Sequence, residues 1–242
     1  MKRCFLPLAI VSLLALGSSL RANSLFSPCV AGTVASYESI RGGCTVGLLV
    51  FSDFSFSNSG NAAALASDSD ITLTPLAFGF SVTQTSTTDP APPLQVGINE
   101  SATYNIGWHY FVDPGPRAGG ADIQMDPPFG DSTITQYFCN ESRLSQDGPT
   151  ATPSCLLGEL TNSPVSLQVH NPSPLTASVT FTPPAAFGDV LTQIQLNGSS
   201  TQGAGFDALV STQRIVDDIP EPFTSALGLV GLLGIAFLRR KT

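Results

Sequence analysis

Apolar and polar residues alternate along this chain in short stretches. From Val46 to Phe56 the even positions Val46, Leu48, Val50, Phe54 and Phe56 are apolar, while Asp53, Ser55 and Ser57 fall on the other side. A period of two is that of a strand with one buried face. The same alternation returns in Tyr104, Ile106, Trp108, Tyr110 and Val112, in Val165, Leu167 and Val169, in Ala177, Val179 and Phe181, and in Val190, Ile194 and Leu196. Weaker runs are Ile71 to Leu73, Leu76 to Val82, Leu94 to Ile98, Ser132 to Cys139 and Leu209 to Val216. Between them lie turn-forming pieces: SNSGN at 57–61, TTDPAPP at 87–93, VDPGPRAGG at 112–120, DPPFG at 126–130, NPSP at 171–174, TPP at 182–184 and NGSS at 197–200. About eight to ten short strands with no amphipathic helix predict an all-β domain, an antiparallel β-sandwich of jelly-roll-like type. No repeat of fixed period is present.

The two ends break this pattern. Lys2 and Arg3 precede an apolar run from Phe5 to Leu16, followed by small residues and Leu20-Arg21-Ala22. That order is the signature of a secretory signal peptide, residues 1–22, with cleavage after Ala22 or, alternatively, near Ala15-Leu16-Gly17. Cys4 precedes the apolar run and leaves with the peptide. At the other end, residues 223–238 carry no charge and are followed by Arg239, Arg240 and Lys241. As a helix this segment reaches about 24 Å at about 1.5 Å per residue, just short of a hydrocarbon core near 30 Å. The basic flank predicts a cytoplasmic C-terminus with the domain outside, the orientation that a signal peptide also demands. Gly228, Gly231 and Gly234 recur at a spacing of three, which drifts around a helix instead of building one dimerisation face.

Directly before the apolar segment stands IPEP at 219–222. Pro220 and Pro222 fix two φ angles and bar helix until after Pro222, so Glu221 is offered on a stiff extended stalk at the membrane face. This order of Pro220-Glu221-Pro222, short apolar helix and basic tail resembles the PEP-CTERM sorting signal of exported bacterial proteins, and a similar tail occurs on some ice-binding proteins. Ile219 stands where that family usually has Val. The resemblance covers about 24 of the 242 residues. It implies an exosortase-type membrane enzyme as partner, transient membrane anchoring, and release or attachment at the cell surface, often alongside exopolysaccharide. RGGCTVGLLVFSDFSFSNSG, beginning at Arg41, is also similar to a stretch common in exported domains of this group, and implies no activity. A plain C-terminal anchor is the simpler alternative. The expected organisation is thus a signal peptide at 1–22, an ectodomain at 23–219 and a sorting signal at 220–242.

Charge narrows the function classes. Between the ends the only cations are Arg41, Arg117, Arg143 and Arg214, against seventeen acids from Glu38 to Asp218, so the balance is 4 minus 17, or −13. Such a domain repels a phosphate backbone and excludes nucleic acid as a partner. Cys29, Cys44, Cys139 and Cys155 remain after signal removal. In an exported chain they imply two disulfides, with three possible pairings. Cys29 with Cys44 and Cys139 with Cys155 are favoured because each closes a short local loop. The tight spacing of zinc ligands is absent, and no metal or cofactor is expected.

Catalytic patterns are scarce. His109 and His170 both alternate with apolar strand positions, which predicts solvated histidines on the outer side. No Gly-x-Ser-x-Gly elbow, zinc-protease spacing, phosphate-cradling loop or dinucleotide fingerprint is present. SDSD at 67–70 lacks the Gly and terminal Glu of a calcium loop and predicts an ordinary acidic turn. Tyr104, Trp108 and Tyr110 could form a platform for a sugar ring, but their alternation points to the core. ITLT at 71–74 holds one Thr-x-Thr, where ice-binding solenoids need ranks of them. The expectation is an exported, non-enzymatic structural or interaction protein of the cell surface or extracellular matrix. The alternatives are a carbohydrate-binding module for exopolysaccharide, a secreted hydrolase acting through a carboxylate pair, and an ice-binding protein.

Overall fold

The computed structural model describes residues 26–85, 93–112, 116–146, 151, 153–156 and 164–216. Along them run β1 (Gly32–Thr33), the single-turn helix α1 (Val34–Glu38), β2 (Cys44–Val46), β3 (Leu49–Gly60), β4 (Ile71–Leu76), β5 (Gly79–Gln84), β6 (Leu94–Val96) and β7 (Ser101–Val112). There follow β8 (Arg117–Phe129), β9 (Asp131–Asn140), β10 (Arg143–Ser145), β11 (Ser154–Leu156), β12 (Val165–His170), β13 (Thr176–Ala185), β14 (Phe187–Asn197) and β15 (Ala204–Val216). The chain is all-β with antiparallel ladders throughout the named strands.

Two sheets face each other. The first runs β12-β9-β14-β7-β3-β2, the second β1-β4-β5-β15-β8-β13 with β6 also on β15, and β10 and β11 form a separate hairpin. The pairs β5·β15, β7·β14, β8·β13 and β9·β12 are nested in sequence and alternate between the sheets, which is the connectivity of a jelly roll. Inward positions of both sheets meet in one core that includes Tyr104, Ile106, Trp108, Ile123, Phe138 and Leu209.

One part of that core is aromatic. Phe80 meets Phe51 at 4.8 Å, Tyr37 at 5.6 Å and Trp108 at 6.0 Å between ring centroids, mostly edge-on. This contact explains α1: Thr33 caps it by accepting from the Ser36 N–H at 3.2 Å, and the turn lays Val34 and Tyr37 onto the cluster. The Tyr37 hydroxyl donates to the Val30 carbonyl at 2.6 Å, and burial pushes its pKa up to about 12. Elsewhere the core is polar: Gln136 Nε2 donates to Thr192 Oγ1 at 2.8 Å and to Ser211 Oγ at 2.7 Å, tying the sheets together.

The structure departs from the simple alternation in three places, each for a physical reason. The expected strand from Val46 to Phe56 is a hairpin, because Gly47 takes φ 61° and heads a two-residue turn that puts Leu48 at the surface. Beyond it a bulge at Asp53 (φ 52°) switches the inward set from Leu49 and Phe51 to Phe54 and Phe56. Residues 57–60, expected as a turn, continue β3. Likewise the run from Leu76 to Val82 is interrupted by the turn Ala77-Phe78 of the β4–β5 hairpin.

The third departure is β8. Residues 117–120 and 126–129 both fall in pieces expected as turn, yet this is a thirteen-residue strand paired on both sides by β15 and β13. Gly119 and Gly120 lack the side chains that would reveal a period, and Pro127 and Pro128 lie at the end of the strand. Pro183 and Pro184 similarly sit within β13, in its irregular segment between Thr180 and Ala185.

Both cysteine pairs are disulfides. Cys29–Cys44 ties the segment before β1 to β2, and Cys139–Cys155 ties the β10–β11 hairpin to the end of β9, with sequence separations of 15 and 16. Such bonds belong to oxidising, extracytoplasmic settings.

Candidate functional site

The inward alternation of each sheet leaves a complementary set of side chains on its outer side, and the two outer sides differ. On the second sheet, Ala121, Ile123 and Met125 of β8 are buried, so Asp122, Gln124 and Asp126 point outward. Register places Thr74, Ser81, Val210, Gln124 and Thr176 in one cross-strand row. The next row brings Thr212, Asp122 and Ser178 together. Asp122, Gln124, Thr176, Ser178, Val210 and Thr212 line an open cleft of about 380 Å³.

Arg214 is bridged to the cleft residue Asp122. Its Nε lies 3.3 Å from Asp122 Oδ2, and Nη2 donates to the Val179 carbonyl. Gly120 makes room, because a Cβ there would strike both the Val179 carbonyl and the guanidinium. The cleft therefore has one carboxylate held by a neighbouring cation, one amide, three hydroxyls and an apolar patch from Val210. Among the described residues no side-chain hydrogen bond engages Gln124, Thr176, Ser178 or Thr212, so their donors and acceptors face the cleft unengaged. Short hydroxyl and amide groups on rigid strands suit a ligand dense in hydroxyls, each of which both donates and accepts.

On the outer side of the first sheet the polar groups are bonded to one another. Gln168 Nε2 donates to Thr135 Oγ1 at 3.1 Å, Gln195 to Gln193 Oε1 at 3.1 Å, Gln193 to Asn105 Oδ1 at 3.3 Å, and Asn105 to Ser57 Oγ at 3.3 Å. Asn105 and Gln193 are only 3% and 5% exposed. Further along, Ser52, His109 and Asp189 occupy one cross-strand row. His109 Nδ1 lies 2.6 Å from Asp189 Oδ1. Asp189 also accepts from the Leu144 N–H at 2.8 Å and from Arg143 at 3.4 Å, while Arg143 reaches Asp53 at 3.0 Å.

This row corrects the expectation for His109, whose side chain is 11% exposed and paired, not solvated. The cause is the β7–β14 register, which brings Asp189 beside it from 80 residues away. The three residue types of a nucleophilic triad share the row, but no hydrogen bond joins Ser52 to His109, so the relay is not assembled. His170 is 42% exposed and lies 2.8 Å from Thr133 Oγ1. Among the described residues no group of three or more His, Cys, Asp or Glu could hold a metal ion.

The remaining candidates fall as follows. Tyr104, Trp108 and Tyr110 are buried at 1%, 4% and 0% exposure, which removes them as a sugar platform and confirms them as core. Residues 67–70 form a turn in which Asp70 accepts from the Ser67 N–H and hydroxyl, and these bonds hold its carboxyl below the usual carboxylate range. The signal peptide, Pro220, Glu221, Pro222, Arg239, Arg240 and Lys241 lie outside the described residues. No helix among the described residues is long and apolar enough to cross a membrane. The cleft residues Asp122 and Gln124 were not anticipated, although the run from Ala121 to Asp126 alternates cleanly once read as strand.

No family model matches the chain, and neither does any curated protein. Among solved structures the chain is similar to TmCBM61 in complex with β-1,4-galactotriose, at 7% identity and a TM-score of 0.32, covering 66% of this chain and 88% of that one. It is also similar to a xylan-binding module, CBM15, at 14% identity and a TM-score of 0.20, covering 69% of this chain and 97% of that one. Likeness at this level identifies no ligand.

Proposed function

We propose that this is an exported, non-enzymatic interaction protein of the cell surface or extracellular matrix whose second sheet binds a polysaccharide chain. The observation that carries the binding reading is the open cleft, in which Gln124, Thr176, Ser178 and Thr212 present unengaged hydrogen-bonding groups around Val210. A sugar ring offers hydroxyls at its rim and C–H groups on its face, and this lining has a counterpart for both. Export is supported by the two disulfides and by the basic-then-apolar start of the chain. Sorting runs through Pro220, Glu221 and Pro222, with residues 223–238 as a transient membrane helix flanked by Arg239, Arg240 and Lys241. The partner there is an exosortase-type membrane enzyme.

A glycan array probed with residues 23–219 tests the binding reading. Retention of extracellular polysaccharide fragments is expected, and a blank array would sink it. Sorting is tested separately by Glu221→Ala in a host with a matching exosortase. The parent should lose its C-terminal peptide, as read by mass spectrometry, while the variant accumulates as the longer membrane-bound form. Equal processing of both would show that Glu221 is not read.

A further inference from the structure

The connectivity sorts the loops into two ends. The β2–β3 turn, the β4–β5 turn, the β7–β8 and β13–β14 connections and the end of β15 all lie at one end. The β8–β9, β12–β13 and β14–β15 connections lie at the other. Val216, the last described residue, stands at the first of these, the exit end.

Several apolar side chains stand exposed at the rim of that end. Of the nine most exposed large apolar side chains among the described residues, four stand there: Leu48 at 42%, Phe78 at 38%, Phe187 at 39% and Val216 at 38%. The two hairpin tips abut, since a Cβ at Gly47 would come within 3.3 Å of the Phe78 ring. Charge is sorted along the same axis. Arg117, Arg143 and Arg214 all lie toward the exit end and pair there with Glu141, with Asp53 and Asp189, and with Asp122. Glu100, Asp126, Asp131 and Asp207 lie toward the far end with no arginine bridged to them. Among the described residues these four carboxylates without an arginine thus stand at the end opposite the exit, while in sequence Asp113 falls in the β7–β8 connection and Asp217 and Asp218 follow Val216.

We infer that the exit end is a membrane-docking surface, and that its occupant is the lipid headgroup layer beside the domain's own anchor. This rests on the proposed insertion of residues 223–238. Only residues 217–222 separate Val216 from that segment, and six residues span at most about 20 Å when fully extended. Pro220 and Pro222 stiffen this link further. So short a tether holds the exit end at high effective concentration over the bilayer, where a few apolar side chains suffice for contact. Docking in turn holds Glu221 at the membrane face, within reach of a membrane-embedded processing enzyme.

The test uses residues 23–242, the chain without its signal peptide, reconstituted in vesicles of phosphatidylethanolamine and phosphatidylglycerol. An environment-sensitive fluorophore is attached through Leu48→Cys in one preparation and through Ile98→Cys, at the far end, in another. The protein should float with the vesicles, and the probe at 48 should show a blue shift that the probe at 98 lacks. Adding Phe78→Ser and Phe187→Ser should reduce the shift at 48 while flotation is kept. Flotation with equal emission at both sites would overturn docking and leave the anchor reading standing, and an undiminished shift in the serine variant would overturn the role of these side chains. Failure to float would overturn the anchor reading and the docking inference with it.

Discussion

The outer sides of the two sheets are built from similar residue types and behave as opposites. On the first sheet Gln168, Thr135, Gln195, Gln193, Asn105 and Ser57 are joined by side-chain hydrogen bonds, and Asp189 gathers His109, Arg143 and the Leu144 N–H. On the second, Gln124, Thr176, Ser178 and Thr212 line a cleft and, among the described residues, bond to no other side chain. Composition does not separate the two. The difference lies in which groups are already satisfied: a closed network fixes geometry, whereas an open set of donors and acceptors on rigid strands is free to recognise something else.

If the first face is structural, breaking it should cost stability, and the largest effect should come from its covalent tie. Cys139–Cys155 fastens the β10–β11 hairpin, which supplies Arg143 and the Leu144 N–H to Asp189. Replacing both cysteines by serine should lower unfolding free energy by about 3 kcal/mol, the value for a loop of this length. Hydrogen exchange should accelerate at Leu144 first, while β8, β13 and β15 keep their protection. A Leu144 amide protected as in the parent would show that the hairpin needs no staple.

Removal of the carboxylate at the centre of the same network comes next. Asp189→Ala leaves the Leu144 N–H and His109 without their acceptor, in a site where Asp189 is only 15% exposed. The expected loss is about 1–3 kcal/mol in urea denaturation. Asp189→Asn retains an acceptor of nearly the same shape and should recover part of it. Equal losses for the two variants would mean that charge, not hydrogen bonding, holds the row together.

How much of this could be foreseen from the chain depends on where information about each residue resides. β7 was legible because Tyr104 to Val112 alternates without interruption, and the core position of its aromatics followed from the same pattern. The disulfides were legible because each links neighbours along the chain. β8 was hidden, since Gly119, Gly120, Pro127 and Pro128 read as turn locally and only pairing with β13 and β15 makes them strand. The switch of inward parity at Asp53 was equally hidden, because one left-handed residue leaves no mark in composition. His109 was placed on the correct side of its strand, but Asp189 lies 80 residues away and meets it only through register. The cleft combines both difficulties, because two of its residues belong to the hidden strand and the others come from β13 and β15.

The smallest expected effect on stability is also the one that most directly separates the two faces. Gln124→Ala with Thr212→Ala removes an amide and a hydroxyl that make no side-chain hydrogen bond and line the cleft. Nothing is left unpaired by these changes, and surface substitutions away from networks usually stay within about 0.5 kcal/mol of zero. Unfolding by urea should therefore match the parent, while polysaccharide retained by the parent should be weakened or lost, because each missing group leaves a ligand hydroxyl without its protein partner. The mirror substitution on the first face, Gln168→Ala, should do the reverse: it removes a bond to Thr135 and leaves binding untouched. Should the Gln124 and Thr212 variant lose stability as Asp189→Ala does, the second face would be a structural surface like the first. Should it keep both stability and binding, the ligand lies elsewhere on the domain.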